Sequence, residues 1–429
     1  MRRSNTIVVA TVLVAIIVMA AAAIYISNNK ETEVTTSAVD FAGQEIVTVD
    51  NLDGGIVAVG QDTFRWVTYF GLADKCVMVD QNDMSNFLGK AFMYSGRAQV
   101  DIDGGDSATL TGDDGARKYF THTNCGITME DARTIVELNP SIVVVPASFY
   151  TDYRNEMAMI ENQGINTVAI GYIYTFLEQD TFEMTDDLVR QISVLSTALD
   201  MNERGTELQN AFRYLVDDLR SLTSGIEERR SAYIGALSYN GAHGISSSSP
   251  YFIPMELAGI DNILAGKADY SGSGVKEYSA KDIGNAIRDD TILFVDASGY
   301  ATCATDNTSN GIIKMFQGHE SYIVTPYIWT GVNYESVFAC AYQMVHAAYG
   351  DDILTEEEML ERINTVHDLF LGGHESTRDI SQFSSYSVAL PEEGTTIFED
   401  MSDLYTAAKG NPIHGEITVS ADGHLSLKG

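Results

Sequence analysis

The residues best able to do chemistry in this chain are sparse and poorly grouped. His243 stands close in sequence to Ser246–Ser249. A nucleophilic serine needs a histidine beside it and an acid to orient that histidine. No G-x-S-x-G turn accompanies the pair, and the Gly/Ser-rich stretch reads more simply as a loop that wraps a ligand. The run Ser271-Gly272-Ser273-Gly274 lacks the lysine and the strand context of a phosphate-binding loop. The eight histidines include no H-x-x-x-H pair, and His122 with Cys125 is the nearest approach to a metal-ligand pair. Two ligands fall short of the three or four that a transition metal takes. Paired carboxylates abound only because acids abound. The residues therefore predict no catalytic group, no resident metal and no cofactor.

A second set of residues fits binding better. The sequence places aromatic side chains just beyond expected strands: Phe64, Arg65 and Trp66; Phe149 and Tyr150; Tyr172 and Tyr174. In the second half follow Tyr239, His243 and Tyr251, then Tyr300, then Tyr327 and Trp329. Both tryptophans fall in this set, one in each half. Ligands of open α/β sheets bind beyond the carboxyl ends of strands. Aromatic faces there give large, rigid contact area. These thirteen residues are the expected ligand-binding set, with Arg65 its one fixed cation.

The elements that must position them follow from apolar patterning. Short, nearly continuous apolar runs at 56–59, 76–79, 142–145, 167–170, 232–237, 292–295 and 322–324 predict strands buried on both faces. Helical stretches separate them, which predicts an α/β fold with parallel sheets. The middle differs. Met184, Leu188, Ile192, Leu195 and Leu199 mark one amphipathic helix. A second, with Asn202 as its expected N-cap, carries an apolar stripe from Leu208 to Ile226 over about 35 Å. It reads as a strut between two halves. Residues 137–148 (ELNPSIVVVPAS) and 287–298 (IRDDTILFVDAS) echo each other across those halves. Residues 356–370 predict a further helix, and 415–428 a hairpin turning at Asp422-Gly423.

Composition sets the remaining bounds. The chain has 429 residues, 60 acidic against 26 basic, for a formal net charge of −34. Nucleic-acid binding needs a basic footprint, which this chain lacks. Residues 6–26 (TIVVATVLVAIIVMAAAAIYI) are uncharged and span roughly 30 Å as a helix, the thickness of a bilayer core. Arg2 and Arg3 precede them, so the positive-inside rule predicts a cytoplasmic N-terminus and an exterior bulk. A cleaved signal peptide ending near Ala21-Ala22-Ala23 is the competing reading. Four cysteines, Cys76, Cys125, Cys303 and Cys340, fit either the disulfides Cys76–Cys125 and Cys303–Cys340 or four free buried thiols.

Several stretches, in order, resemble one known family. They are 54–80 (GGIVAVGQDTFRWVTYFGLADKCVMVD), 134–145 (TIVELNPSIVVV), 159–170 (MIENQGINTVAI), 254–266 (PMELAGIDNILAG) and 326–351 (PYIWTGVNYESVFACAYQMVHAAYGD). Over residues 47–373 the chain resembles the class III substrate-binding proteins of iron-siderophore, haem and cobalamin ABC importers, in a membrane-anchored version like archaeal ones. The resemblance implies two Rossmann-like α/β lobes, 47–178 and 229–373, joined through a helical linker, 179–228, that holds a single long helix. A transmembrane anchor (1–30), a tether (31–46) and a C-terminal extension (374–429) complete the division. It further implies a metal chelate in the interlobe cleft and an ABC permease with its ATPase as partners. Glu130, Asp131 and Asp282 stand where the family presents acidic residues to permease arginines. A direct metal-ion binder, or a surface receptor of the same fold, is the alternative.

Overall fold

The computed structural model describes residues 36–84, 109–111, 117–238, 243–267, 274–305, 310–328, 331–371, 415–421 and 423–427. The apolar segment 6–26 lies outside them. Among the described residues no helix is long and apolar enough to cross a membrane.

Two six-stranded sheets carry the fold. The first has the order β3-β4-β2-β1-β5-β6, where β1 is Ile56–Ala58, β2 Cys76–Val79, β3 Thr109–Thr111, β4 Arg117–Phe120, β5 Ile142–Pro146 and β6 Thr167–Ile170. All its pairings are parallel except β3 with β4. The second has the order β14-β13-β12-β11-β7-β9, with β7 Ser231–Gly235, β9 Asp261–Asn262, β11 Ile292–Asp296, β12 Ser321–Val324, β13 Gly415–Val419 and β14 Leu425–Leu427. Here β9, β7, β11 and β12 run parallel, and the hairpin β13–β14 extends the edge antiparallel. The short strands β8 (Ser247–Ser248) and β10 (Lys276–Glu277) form a separate ribbon.

The apolar runs become strands because both faces of the first sheet are covered. Ile56, Ala58, Ile142 and Val144 face one buried cluster, and Val57, Val59, Val143 and Val145 the other. Alternation at period two puts apolar side chains on both sides, so the sequence shows no polar phase. Each such valine or isoleucine contributes about 1.5–3 kcal/mol by leaving water.

Between β6 and β7 the chain forms two helices, Asp186–Ala198 and Asn202–Thr223. Thr185 caps the first by accepting from the Leu188 N–H. Asn202 is not the cap of the second. Met201 holds that position, with no side-chain hydrogen bond, and Asn202 is already helical. The helix buries Leu208, Phe212, Leu215 and Leu219. Helices Tyr334–Tyr349 and Glu356–Leu371 pack together at the C-terminal side.

One buried cluster runs from the first sheet to the second. Its middle is aromatic. Tyr334 lies 5.6 Å from Trp66, 4.9 Å from Phe176 and 5.5 Å from Phe212, ring centre to ring centre. Phe370 closes on Phe212 at 5.0 Å and on Tyr69 at 5.2 Å. Each ring buries about 150–250 Å², so parting the two sheets here would re-expose several such faces. Arg204 adds a clamp, donating from Nε to the Tyr69 carbonyl at 2.8 Å and from Nη2 to that of Leu369 at 2.7 Å.

Candidate functional site

In the first sheet the chain moves from β1 outward to β2, then crosses back to β5 on the other side. In the second it moves from β7 to β9, then back to β11. Those reversals are the places where α/β sheets open a crevice at their carboxyl ends. The residues following β1 and β5, and those following β7 and β11, therefore frame the candidate site.

At the first sheet, Asp80 ties the strand ends together. Its Oδ2 accepts from the Gly60 N–H at 3.1 Å, and its Oδ1 from the N–H groups of Asn82 and Cys125 at 2.9 Å each. Gly60 takes φ +91°, and a Cβ there would come within 2.6 Å of Pro146 and Phe149. Two residues on, Asp62 adopts a left-handed conformation, φ 71°, and opens the helix Thr63–Tyr69. That geometry turns its carboxylate onto Arg65 in a close ion pair. Arg65 also donates from Nε to Asn333 Oδ1 at 3.3 Å, which joins the two halves of the chain. Asn333 is held in turn by the Tyr327 carbonyl, which accepts from its Nδ2 at 3.0 Å. Gly331 presses on the same pair: a Cβ would lie 2.4 Å from Asp62 Oδ1, and its φ is +117°. Burial pushes the Asp62 carboxyl up to about 6, with Arg65 opposing the rise. Nearby, the Tyr69 hydroxyl donates to the Glu335 carboxylate in a second buried contact between the halves.

Beyond β6, Tyr172 and Tyr174 are 40% and 48% exposed and stack on each other at 5.4 Å. Burial of its phenol, then the Asp62 charge, push the Tyr172 pKa far up.

At the second sheet, Asp296 ends β11. Its Oδ1 accepts from the Ser298 N–H at 2.9 Å and from the Ser298 hydroxyl, which also lies 2.6 Å from Ser238 Oγ. Burial raises the Asp296 carboxyl to about 7 against the pull of the Ser298 hydrogen bonds. His243 Nδ1 lies 3.5 Å from Glu277, and the Ser246 hydroxyl donates to the same carboxylate. Glu277 thus gathers the one serine–histidine neighbourhood that the sequence offered to acyl chemistry.

Of the thirteen expected ligand residues, Tyr172 and Tyr174 are exposed just past β6, and His243 is half-buried in the segment between β7 and β8. Several others are corrections. Trp66 is 1% exposed and belongs to the aromatic joint, because the helix Thr63–Tyr69 is buried on all sides. Phe64 lies in the same core. Arg65 is 1% exposed and committed to Asp62 and Asn333, so it is a joint residue rather than an open cation. Phe149 packs under Gly60 and on Tyr153 at 4.7 Å. Tyr150 turns away: its hydroxyl donates to Glu161 at 2.8 Å and lies 2.7 Å from Thr167 Oγ1, at the opposite end of β6. Tyr300 is buried, as is Tyr327, which packs on Phe252 at 5.3 Å. Tyr251 is half-buried against the core. Tyr239 and Trp329 lie outside the described residues. Asp62, Gly331 and Asn333 stand outside the expected ligand set, because their roles depend on a left-handed turn and a contact 268 positions away in sequence.

The acidic trio also divides. Glu130 is exposed. Asp131 is wholly buried as the third residue of a capping box with Thr128, and it accepts from the ring of His122 at 2.6 Å. Its hydrogen bond raises the His122 pKa. Such a carboxylate has no face left for a partner. Asp282 is exposed, bonded to the Ser279 cap and 3.6 Å from Lys267. All four cysteines are free thiols, and neither expected disulfide forms.

No family model and no curated protein matches the chain. Solved structures similar to it are solute-binding proteins. A periplasmic solute-binding protein from Veillonella parvula is 15% identical over 78% of this chain and 92% of its own, at a TM-score of 0.49. The molybdate-binding MolA of Haemophilus influenzae is 16% identical over 78% and 97%, at 0.48. An ABC transporter solute-binding protein from Sulfurospirillum deleyianum is 13% identical over 81% and 98%, at 0.46. These likenesses concern the layout of the chain; the functional reading rests on its own residues.

Proposed function

We propose that this chain is the extracytoplasmic solute-binding component of an ABC importer, which captures a small metal chelate between two α/β lobes and passes it to a permease and its ATPase. The lobes are 47–178 and 229–373, joined through 179–228 with the helix Asn202–Thr223 as strut, and residues 6–26 anchor the chain in the membrane. The observation that carries the reading is the exposed Tyr172–Tyr174 stack just past β6, at the carboxyl end of a parallel sheet. Aromatic contact area at such a place serves binding. The aromatic joint resists wide opening, so capture relies on a nearly preformed cleft and small lobe movements. Glu130 and Asp282, exposed one in each lobe, are the docking carboxylates. Among the described residues no three His, Cys, Asp or Glu side chains gather as a metal ion requires.

Calorimetric titration of the full chain in detergent with ferric chelates, haem, corrinoids and bare divalent metals tests this. Saturable binding of one chelate, weakened at least about tenfold by Tyr172→Ala with Tyr174→Ala, is expected for an aromatic shelf. A response to bare metal alone, or to nothing, overturns it.

A further inference from the structure

Residues 38–46, expected from the sequence to be tether, instead form the root of the Tyr172–Tyr174 stack. They fold into a small hairpin that turns at Asp40-Phe41-Ala42-Gly43. Gly43 takes φ +78°, and its N–H donates to the Asp40 carbonyl at 3.2 Å. The Asp40 carboxylate is buried. Its Oδ1 accepts from the N–H groups of Ala42 and Gln44 at 2.9 Å each, the short-range bonding that suits aspartate to turns. Its Oδ2 accepts from the Ala169 N–H at 2.8 Å, and the Phe41 N–H donates to the Ala169 carbonyl at 3.2 Å. The hairpin thereby covers the edge strand β6 at Ala169. The Phe41 ring meets both Arg190 and Gly171. The Arg190 guanidinium lies 4.3 Å from the ring centre, and its Nη2 donates to the Asp40 carbonyl at 2.8 Å. A Cβ on Gly171 would come within 3.0 Å of three atoms of the ring. The Gly171 N–H donates to Oε1 of Gln191, next to Arg190 on the helix Asp186–Ala198, at 2.8 Å. Gly171 immediately precedes Tyr172. The second sheet repeats part of this device. Gln343 Oε1 accepts from the N–H of Thr325, the first residue past β12, at 2.9 Å, and β13 covers that edge.

From this we infer that Phe41 is a positioning residue for the tyrosine shelf, and that the hairpin 38–46 is part of the ligand site rather than slack tether. Backbone order imposed at Gly171 before binding is order that a ligand need not impose on arrival. The inference rests on the solute-binding reading and names what holds the shelf of that same site.

The test uses the full chain in detergent, with haem, a ferric trishydroxamate and cyanocobalamin as probes. Hydrogen exchange at the Gly171 amide is a second readout that needs no ligand. Phe41→Ala is expected to weaken binding of whichever probe the parent holds by about 5- to 30-fold, the cost of re-ordering one backbone residue. It should also speed Gly171 exchange at least about tenfold at an unchanged urea midpoint, as a local opening does. Phe41→Tyr keeps the ring and is expected to match the parent. Gly171→Ala drives a Cβ onto that ring and should weaken binding by itself. In Gly171→Ala with Phe41→Ala the ring is gone, so the combined loss should fall short of the sum of the two single losses. Additive losses, or parental affinity and exchange in Phe41→Ala, overturn the inference and leave the solute-binding reading intact. Faster exchange matched by an equal fall in global stability marks Phe41 as a general packing residue and overturns it too. Binding of no probe by the parent chain overturns the solute-binding reading and with it the ligand role of Phe41.

Discussion

Asp296 offers a sharp test of how the second sheet ends. It is a buried carboxyl that accepts from two neutral groups, the backbone and the hydroxyl of Ser298. Burial raises it from the ordinary 3.8 to about 7. At roughly 1.4 kcal/mol per pH unit, that rise makes the ionised form about 4 kcal/mol costlier in the folded chain than in the unfolded one. The sign follows from proton counting. Between pH 3.8 and about 7 the folded chain holds a proton that the unfolded chain has released, so folding loses stability from this group as pH rises through that window. Asp296→Asn keeps the acceptor oxygen and cannot ionise. The variant is expected to match the parent near pH 4 and to exceed it by up to about 4 kcal/mol near pH 8. Urea unfolding followed by tryptophan fluorescence, with Trp66 as a buried reporter, measures the difference at each pH. A variant less stable than the parent at pH 8 would refute the reasoning, because it would mean that the carboxylate is ionised there and held by a cation.

Trp66→Ala is expected to cost about 3–5 kcal/mol of stability, as removal of a core aromatic does; a loss of ligand affinity with unchanged urea midpoint would return Trp66 to the cleft. Burial lowers the His367 pKa to about 4, so folding stability is expected to fall as pH drops from 6.5 toward 4. His367→Gln should flatten that stretch of the stability–pH curve, and an unchanged slope would show that the histidine is not the source. Burial first, and then the charge of Asp80, raise the Cys125 thiol to about 12. Its alkylation at pH 8 should therefore run far slower than that of a free cysteine peptide, and a rate equal to the peptide's would contradict the described surroundings. Gly331→Ala, with a Cβ driven onto Asp62 at a positive φ, should cost about 1–3 kcal/mol, readable as a lowered melting temperature.

The sequence by itself determined the strands and their class. Ile56–Ala58, Cys76–Val79, Ile142–Pro146, Thr167–Ile170 and Ile292–Asp296 were legible because burial on both faces demands unbroken apolar runs, and that demand is local. The same holds for the helix Glu356–Leu371 and the hairpin of β13 and β14, whose period and turn residues carry their own signal. The short strands β3 and β4 lacked such a run and went unseen. What only the tertiary structure decided is which aromatic side chains meet a ligand. Trp66 and Tyr172 both follow a strand by a few residues, and their types are equally suited to a cleft or a core. Trp66 is buried because Tyr69 and the sequence-distant Tyr334 pack against it, whereas Tyr172 and Tyr174 stack on each other and stay exposed. Arg65 shows the same limit with charge: its availability depends on an Asp62 turned by a left-handed backbone and on an Asn333 brought from the far half of the chain. Burial is a sum over neighbours from the whole fold, while periodicity reports only the neighbours along one element.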